Sequence, residues 1–411
     1  MTRVVVTGMG AVAPNGNGLH DFVANTLAGK VGIKKISKFD ATPTGITVAG
    51  EVDNFDPKEV VGKKSARRMD LYSQYAVQTA VEALKMAGIN ADNTRAEDLG
   101  VIYGSGIGGL TTIQEQIIKM HEKGPKRVSP MFVPMAIANM AAGNIAIRAN
   151  AQNICTSIVT ACASGTNSIG EAFRQVKEGR AQVMIAGGAE ASVNEIGIAG
   201  FAALNALSTA TDPLKASKPF DRDRNGFVLG EGAGALILES LEHAEKRGAK
   251  ILGEVVGYGA TGDAYHITSP AEDGSGAAKA MELAMEEAQI TPAQVDYINA
   301  HGTSTHHNDL FETRAIKKAF GEAAKDVVIN STKSMIGHLL GAAGGVEFIT
   351  CVKSMEDGFI HQTVGTKEAD EECDLNYAIG SPVEKEIKAA MSNSLGFGGH
   401  NATILIQKYE A

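Results

Sequence analysis

Tryptophan is absent from this chain of 411 residues, and aromatic residues make up only 5% of it. A surface that binds nucleic-acid bases by stacking needs aromatic side chains. Basic side chains are also in the minority, because 38 Lys and Arg stand against 47 Asp and Glu and give a net charge of -9. Both shortages argue against nucleic-acid binding as the main activity.

Cysteine is scarce as well, since the chain has four cysteines and no CxxC pair. This pattern predicts neither a disulfide framework nor a zinc-binding motif. The sequence has no run of 18 apolar residues that could span a membrane, and its first residues lack the pattern of a secretory signal. We therefore expect a soluble cytoplasmic protein without a membrane partner, and an enzyme is the first hypothesis.

Glycine is the residue in excess, with 47 copies, or about 11% of the chain against a usual ~7%. Apolar runs at 4–7, 99–103 and 158–161 predict strands, and spaced apolar residues at 77–84 and 169–176 predict helices. Because the two patterns alternate along the chain, the sequence predicts an α/β protein with covered sheets.

The order of these landmarks recurs in the second part of the chain. The repeats are helical spacing at 281–288, a strand and glycine loop at 295–303, a strand entering a helix at 327–338, and LGFGGHNATILI at 395–406, which echoes LGEGAGALIL at 229–238. Two halves of similar topology, 1–250 and 251–411, would explain the recurrence, with an insertion near 110–150 in the first. Coincidence among ordinary α/β units is the alternative.

Cys162 is the strongest candidate for a nucleophile, because it lies in IVTACASGTNSIG, where a predicted strand meets a predicted helix. Free N–H groups at a helix start favour the thiolate form of a nearby cysteine. The small residues that follow would let a substrate approach the backbone, as a strand-turn-helix nucleophile requires. A buried, inert cysteine is the alternative, and we interpret Cys155, Cys351 and Cys373 in that way.

Two of the ten histidines lie in comparable positions in the second half. His301 follows a predicted strand in NAHGTST, and His338 lies five residues after Lys333 in STKSMIGHLLGAAGG. If a pseudo-twofold axis relates the halves, these residues and Cys162 could meet in one cleft. A Cys/His protease needs one histidine, whereas two histidines and a lysine suit a reaction that binds a carbonyl oxygen and stabilises an enolate.

Metal and nucleotide sites are weaker hypotheses. His306 and His307 lie close to His301, but their spacing matches neither HExxH nor a zinc-finger pattern. The glycine loops GSGIGG at 104–109 and LGFGGHN at 395–401 lack the other features of dinucleotide and P-loop motifs. We expect these loops to approach a ligand and to donate an N–H group to a developing oxyanion.

Four segments together resemble the β-ketoacyl-[acyl-carrier-protein] synthases, in particular the bacterial type II enzymes of fatty-acid elongation. They are TACASGTNSIG around Cys162, NAHGTST around His301, STKSMIGHLLGAAGG around Lys333 and His338, and SNSLGFGGHNA around Phe397. The likeness spans essentially the whole chain, from RVVVTGMGAVAPNG onward. The Cys-His-His set separates it from thiolases, which use a second catalytic cysteine, and from chain-initiating synthases, which use Cys-His-Asn.

The resemblance implies a thiolase-like α/β fold, with two topologically similar halves in a five-layer αβαβα stack, and a homodimer. It implies an acyltransferase that consumes no redox or organic cofactor. Cys162 would accept an acyl chain from acyl carrier protein, and decarboxylation of malonyl-carrier protein would extend that chain by two carbons. The alternatives are a polyketide ketosynthase and a non-catalytic partner subunit, and the intact Cys-His-His set argues against the second.

The resemblance also implies roles for the central residues. The N–H groups of Cys162 and Phe397 would form the oxyanion hole. His301 and His338 would bind the malonyl thioester oxygen as it becomes enolate-like, and the sequence leaves open whether one of them also activates a water. Lys333, paired with Glu347, would influence the charge at the site and orient His338. A purely structural ion pair is the alternative.

Other residues match the family's binding sites. Phe397, between glycines, matches the gating phenylalanine. The remaining matches are Thr303 and Thr305 for the phosphopantetheine arm, Ile107 and Phe201 for the acyl chain, and Asn299, Glu347, Ser392 and Asn393 for a structural monovalent or divalent cation. Many relatives have proline after HGTST, where this chain has His306 and His307, and this departure could alter the adjoining loop.

Acyl carrier protein is strongly acidic, so docking to a chain of negative net charge needs a local basic patch. The candidates are two groups of basic residues: Lys63, Lys64, Arg67 and Arg68, and Lys126 and Arg127. A solvated run of charge without a partner is the alternative for both groups.

Overall fold

The structure is a computed structural model that describes residues 2–410. Its strands are β1 Val4–Ala13, β2 Gly16–Asn17, β3 Lys34–Lys35, β4 Val48–Ala49, β5 Leu99–Gly104, β6 Cys155–Thr156, β7 Val183–Glu190, β8 Gly232–Ser240, β9 Gly253–Gly262, β10 Tyr297–Asn299, β11 Val328–Asn330, β12 Phe359–Ile360, β13 Val383–Glu384, β14 Ala389–Gly396 and β15 His400–Gln407. Its helices are α1 Leu19–Leu27, α2 Lys63–Ala66, α3 Leu71–Ala87, α4 Leu110–Lys123, α5 Phe132–Ala136, α6 Met140–Ala149, α7 Ser164–Lys177, α8 Glu195–Ala203, α9 Pro213–Ala216, α10 Leu241–Lys246, α11 Ser275–Ala288, α12 His306–Phe320, α13 Lys333–Ile336 and α14 Ala343–Asp357.

The main sheet has the strand order β11-β10-β14-β15-β9-β1-β8-β7-β5-β6. Its middle joint is short, because residues 4–6 of β1 pair with 253–255 of β9. On each side of this joint lie five strands of this path in the same order. Numbered by sequence within each half, they run first, fifth, fourth, second and third, which is β1-β8-β7-β5-β6 in the first half and β9-β15-β14-β10-β11 in the second. The parallel and antiparallel pairings also agree between the sides. The structure therefore confirms two halves of like topology, whereas the boundary at residue 250 stays a prediction.

Alternate residues of the strands pack into different layers. Met184 of β7 and Ile404 of β15 contribute to a core that contains Ile169 of α7 and Val346 of α14, so these two helices lie between the sheet halves. The neighbouring Ile185 faces the core under α3 and α6, and Leu405 faces the core under α11 and α12. This alternation follows from the period of two in a strand. It gives the five layers αβαβα that the family resemblance implies.

Glycine brings the outer helices onto bare strand backbone at equivalent places in both halves. A Cβ on Gly8 or Gly10 of β1 would lie 2.2 or 2.1 Å from a backbone carbonyl oxygen of α3. A Cβ on Gly257 or Gly259 of β9 would lie 2.0 or 1.9 Å from a carbonyl oxygen of α11. Part of the glycine excess therefore serves close packing of helix on strand.

The predicted strands at 4–7 and 99–103 and the predicted helices at 77–84 and 169–176 are confirmed within β1, β5, α3 and α7. The predicted strand at 158–161 is wrong. Pairing with β5 ends at Thr156, and the chain continues as an irregular segment into a 3-10 helix. The region near 110–150 contains α4, α5 and α6, where the second half has α12. Among the helices of residues 2–410, none has both the length and the hydropathy needed to cross a bilayer.

Candidate active site

Cys162 lies in the 3-10 helix Ala161–Ala163, which leads directly into α7. Ala161 has φ of 51°, in the left-handed region that residues other than glycine rarely adopt. Ser164 Oγ stabilises this turn, since it donates to the Ala161 carbonyl at 2.6 Å and accepts the Thr160 N–H at 3.0 Å. The strained turn therefore fixes the thiol at the N-terminal end of the central helix.

The thiol lies on a cavity of about 380 Å³ that His301 and His338 also line. The Sγ atom and one ring nitrogen from each histidine all lie within 4.8 Å of one another. The two imidazole rings are nearly perpendicular, with centroids 5.1 Å apart. All three side chains are buried. The predicted meeting of Cys162, His301 and His338 in one cleft is therefore confirmed.

The hydrogen bonds of His338 determine its tautomer. The backbone N–H of Leu340 donates to His338 Nδ1 at 3.2 Å, so that the ring proton resides on Nε2. Leu340 has φ of 48° and begins a 3-10 helix that leads into α14. This strained turn before a central helix has the same place in the second half as the Cys162 turn has in the first.

His301 is oriented by Lys333, which is almost completely buried. Lys333 Nζ lies 3.3 Å from His301 Nδ1 and also pairs with the Glu347 carboxylate. Since a lysine ammonium can only donate, Nδ1 accepts and Nε2 carries the ring proton. The predicted pair with Glu347 is present. Lys333 lies against His301, however, and not against His338 as we expected.

A metal bound by Cys162, His301 and His338 is the alternative use of this geometry. A histidine that binds a metal offers it a ring lone pair and usually donates the proton of its other nitrogen to an acceptor. Both histidines here show the reverse arrangement, because their Nδ1 atoms accept hydrogen bonds. The site therefore presents two N–H donors beside a thiol, in the vicinity of the positive charge of Lys333.

Burial controls the protonation of these groups. It lowers the pKa of His301 and of His338 well below 6.5, and the charge of Lys333 lowers both further, so the imidazoles are neutral at neutral pH. Burial raises the pKa of the Cys162 thiol to about 12, and the Lys333 charge and the N–H groups of Phe397 and Cys162 oppose this rise only in part. The helix start acts in the predicted direction, but burial outweighs it.

Phe397 forms the turn between β14 and β15, with Gly398 and Gly399 at φ of 89° and 76°. The N–H groups of Phe397 and Cys162 lower the pKa of the thiol, against the effect of burial. A Cβ on the preceding Gly396 would lie 2.6 Å from the Thr160 carbonyl oxygen, so only glycine lets this turn approach the nucleophile. The LGFGGHN loop therefore brings a backbone N–H group close to the thiol, and its donation to an oxyanion stays a prediction.

The GSGIGG loop does not supply such a donor. The N–H groups of Gly106 and Ile107 donate to the buried carboxylate of Glu190, at 2.7 and 3.2 Å. These groups are therefore not available to an oxyanion. Our expectation for this loop is wrong in that respect.

The loop between β10 and α12 carries the predicted pantetheine contacts. Thr303 and Thr305 line the cavity, and their hydroxyl oxygens lie 2.9 Å apart. Glu312 accepts the N–H groups of His301 and Gly302, each at 2.8 Å, and Asp309 accepts that of Thr303 at 2.9 Å.

The buried carboxylates of Glu312 and Asp309 hold the loop between β10 and α12 through its backbone N–H groups. His306 and His307 begin α12 with exposed side chains at the rim of the cavity. The carboxylate contacts therefore do not involve the two histidines that replace the usual proline.

Apolar residues surround the thiol on its inner side. Ile107 and Phe201 pack on the buried cluster that contains Cys162, and Phe201 also lines the cavity. Phe227, which the sequence analysis missed, makes edge contacts with Phe201 at 5.4 Å and with His338 at 5.3 Å. Glu190 was missed as well, although an acidic residue that ends an apolar strand is a detectable signal.

Three of the four predicted cation ligands have oxygen atoms that suit a cation. Asn299 Oδ1, Glu347 Oε2 and Ser392 Oγ are buried and, within residues 2–410, have no hydrogen-bond partner. Asn299 and Ser392 are register partners in β10 and β14, and α14, which carries Glu347, packs on these strands. Oxygen ligands of this kind fit a hard cation.

The Asn393 side chain does not belong to this set. It contacts Met281 Sδ at 3.3 Å and Thr403 Oγ1 at 2.8 Å. Met281 packs in the core under α11, on the outer side of the sheet.

The predicted docking residues lie on the surface. Lys63 and Lys64 are in α2, Arg67 and Arg68 follow it, and Lys126 and Arg127 are in a 3-10 helix after α4. All six are exposed, and none forms an ion pair within the described part of the chain.

A thiolase-like fold with a thiol between two neutral histidines defines the class of condensing enzymes. Family models for "Beta-ketoacyl synthase, N-terminal domain" and "Beta-ketoacyl synthase, C-terminal domain" match residues 1–244 and 252–367. The chain therefore belongs to the β-ketoacyl synthase family.

The chain is 51% identical over 409 residues to 3-oxoacyl-[acyl-carrier-protein] synthase 2 of Staphylococcus aureus, with 100% of this chain and 99% of that protein covered. Two solved structures each have a TM-score of 0.93 and 34% identity, with both chains covered completely. One is a β-ketoacyl synthase from Burkholderia phymatum, and the other is AntDE:AntF, a type II polyketide synthase acyl-carrier protein in complex with its ketosynthase bound to the hexaketide.

The pKa of Cys162 leads to a prediction about its alkylation. Because the thiol pKa is about 12, we expect the rate of labelling by iodoacetamide to rise continuously from about pH 7 to about pH 10, by up to roughly tenfold per pH unit. Mass spectrometry of the Cys162 peptide measures this rate, and Cys162→Ala provides the background. A plateau below about pH 9 would contradict the assignment of a protonated resting thiol.

Proposed function

We propose that this chain catalyses the decarboxylative Claisen condensation of a malonyl thioester with an acyl chain held on Cys162. The observation that carries the proposal is the donor set at one cavity: a thiol, two backbone N–H groups and two imidazole Nε2–H groups. Because the donors are fixed before the substrate arrives, they can stabilise charge as it develops.

In the first half-reaction, the Cys162 thiol gives up its proton to solvent, and the resulting thiolate attacks the carbonyl carbon of the acyl thioester. The carbonyl oxygen becomes an oxyanion that accepts hydrogen bonds from the backbone N–H groups of Cys162 and Phe397. Collapse of this intermediate breaks the bond to the carrier sulfur, which leaves and takes up a proton. The acyl chain then lies against the apolar side chains around Ile107 and Phe201.

In the second half-reaction, the malonyl thioester oxygen accepts the Nε2–H groups of His301 and His338. Cleavage of the bond to the carboxylate releases CO2 and leaves its electron pair in the enolate, where both hydrogen bonds strengthen. The enolate carbon attacks the acyl-Cys162 carbonyl and expels the Cys162 thiolate, which takes up a proton and restores the resting thiol. No redox or organic cofactor is consumed. Neither imidazole has a free lone pair toward the cavity, which favours direct loss of CO2 over activation of a water by a histidine.

The remaining predicted residues have supporting roles in this proposal. Thr303 and Thr305 would contact the pantetheine arm, and Phe397 would gate the acyl chain through its glycine-rich turn. A structural cation bound by Asn299, Glu347 and Ser392 would fix the carboxylate that pairs with Lys333. The cytoplasmic location stays a prediction. The 51% identity to a fatty-acid-type synthase, against 34% to polyketide ketosynthase structures, favours fatty-acid elongation over the polyketide alternative.

Incubation with acyl- and malonyl-carrier protein should give a product two carbons longer, detected by mass spectrometry. We expect His301→Ala and His338→Ala each to lower condensation by roughly 10²–10³-fold, the usual cost of losing a donor to an oxyanion, and to retain acylation of Cys162. Cys162→Ala should form no acyl-enzyme. An acylation defect as deep in both histidine variants as in Cys162→Ala would indicate a protease-like Cys/His pair instead.

We also propose that acyl carrier protein docks on the basic surface at Lys63, Lys64, Arg67 and Arg68. This surface precedes the N-terminus of α3, where the N-cap Asp70 accepts the N–H group of Thr112 in α4. The other end of α3 lies at the opposite end of the sheet, where the Ala87 carbonyl accepts from Arg247. Because α4 begins at Leu110, directly after the loop whose Ile107 packs on the buried cluster with Cys162, the basic surface and Cys162 are at the same end of the sheet. This placement suits delivery of a tethered substrate.

Charge reversal tests this docking surface. Arg67→Glu should raise the KM for acyl-carrier protein on the order of tenfold, with a weaker salt dependence, and should leave the KM for an acyl-pantetheine unchanged. Lys246→Glu is the matched control, because Lys246 is exposed in α10, at the opposite end of the sheet. Equal effects of both variants on carrier-protein KM would count against a specific docking surface.

A homodimer is the assembly that we propose. Large apolar side chains are exposed on α4, α5, α6 and the segment around β6, namely Ile117, Val133, Ile137, Ile147, Ile154 and Val159. Within residues 2–410, β6 is also an edge strand whose outer side has no partner strand. A second copy would cover this apolar band and pair the edge.

Ile147 is 79% exposed and tests this interface. We expect Ile147→Glu to shift the dimer toward monomer, because a carboxylate would be buried without a partner. Leu214→Glu, at a side chain that is 63% exposed on α9, should leave the dimer intact. Light scattering coupled to size exclusion gives the mass. A monomeric unaltered chain, or a dimer unaffected by Ile147→Glu, would rule out this band as the interface.

A further inference from the structure

Glu190 is a completely buried carboxylate that the proposed mechanism does not use. It ends β7, and within residues 2–410 it has no cationic partner in an ion pair. Four donors surround it instead: Ser105 Oγ at 3.0 Å and the N–H groups of Gly106 at 2.7 Å, Ile107 at 3.2 Å and Gly341 at 3.0 Å. Since all four contacts donate, the site is built for a carboxylate anion.

These donors come from both halves of the chain. Ser105, Gly106 and Ile107 follow β5, and Ile107 packs in the apolar cluster at Cys162. Gly341 follows Leu340, whose N–H group determines the tautomer of His338. Glu190 therefore connects the wall of the acyl pocket with the turn that orients a histidine.

The same carboxylate also lies close to the nucleophile turn. A Cβ on Gly106 would be 2.8 Å from Glu190 Oε2 and 3.4 Å from the Ala161 carbonyl oxygen. A Cβ on Gly341 would be 2.3 Å from the Gly106 nitrogen. The two loops and the Cys162 turn are thus in backbone contact around one side chain. Left-handed residues such as Ala161 and Leu340 persist only where the surrounding structure holds them, and these contacts add to that support.

We propose that Glu190 is a positioning residue, which fixes Ile107 and the Leu340 N–H group relative to Cys162 and so sets both the acyl pocket and the His338 donor. The proposal deepens the condensing function given above and rests on it. It assigns Glu190 no contact with substrate.

The charge of Glu190 provides a second readout. Burial raises the pKa of Glu190 itself, and its four donors oppose that rise. As an anion it also contributes to the raised pKa of Cys162. Removal of this charge should therefore shift the alkylation profile of Cys162 toward lower pH, which distinguishes loss of the charge from loss of the geometry.

Glu190→Gln and Glu190→Asp separate geometry from charge. Glu190→Gln places an NH2 group where a carboxylate oxygen accepted hydrogen bonds, so we expect kcat/KM for condensation to fall about 10²-fold. The alkylation profile of Cys162 should move to lower pH, because the charge is lost. The His338 tautomer signal in 15N-histidine NMR should also change. Glu190→Asp keeps the charge but withdraws the carboxylate, so it should lose condensation and keep the alkylation profile near that of the unaltered enzyme. Should Glu190→Gln fail to fold, Glu190→Asp carries the test.

Glu239→Gln is the matched control, because Glu239 is equally buried in β8 and pairs with Arg247 at the opposite end of the sheet. It should lower thermal stability and leave the kinetics per folded enzyme, the alkylation profile and the NMR signal unchanged. If the Glu190 variants lower only the melting temperature, as this control does, the positioning role is overturned. Failure of the condensing function itself would show differently, since the unaltered chain would form no product while alkylation and NMR still reported on Glu190.

Discussion

The buried ion pair of Lys333 and Glu347 is the interaction on which the site depends most. A lysine and a glutamate with almost no exposure are costly to bury separately, so each requires the other. Lys333 keeps the Nδ1 atom of His301 occupied, and its charge disfavours protonation of both histidines. The pair thereby maintains two neutral, buried donors beside a buried thiol. Stabilisation of an enolate needs this state.

The duplicated topology explains how one chain brings these groups together. Each half has a strained turn, a 3-10 helix and a central helix in the same order. In the first half this unit carries Cys162. In the second half it carries the Leu340 N–H group that orients His338 and the Gly341 N–H group that binds Glu190. Equivalent backbone features thus serve nucleophilic attack in one half and the support of a donor in the other.

The sequence predicted the fold class and the reacting residues because both depend on local patterns. Alternation of strand and helix and the segments around Cys162, His301 and His338 are visible without coordinates. The Lys333 contact was assigned to the wrong histidine, because separation along the chain does not reveal which ring a long side chain reaches. The GSGIGG loop was misread for a similar reason, since its acceptor, Glu190, is distant in sequence. The Asn393 side chain could have been assigned to the other face of the sheet from Ser392, because adjacent residues of a strand face opposite sides.

The glycines that bring α3 onto β1 and α11 onto β9 have a mechanical consequence. Domains that move by shear do so through side chains that repack as helices slide over one another. Here the helix carbonyl oxygens lie against bare strand backbone, so there is no side chain at these points to adopt a second packing. These contacts therefore hold α3 on β1 and α11 on β9 in a single packing arrangement. The proposed gating by Phe397 would use the glycine-flanked turn between β14 and β15, which lies outside these helix–strand contacts.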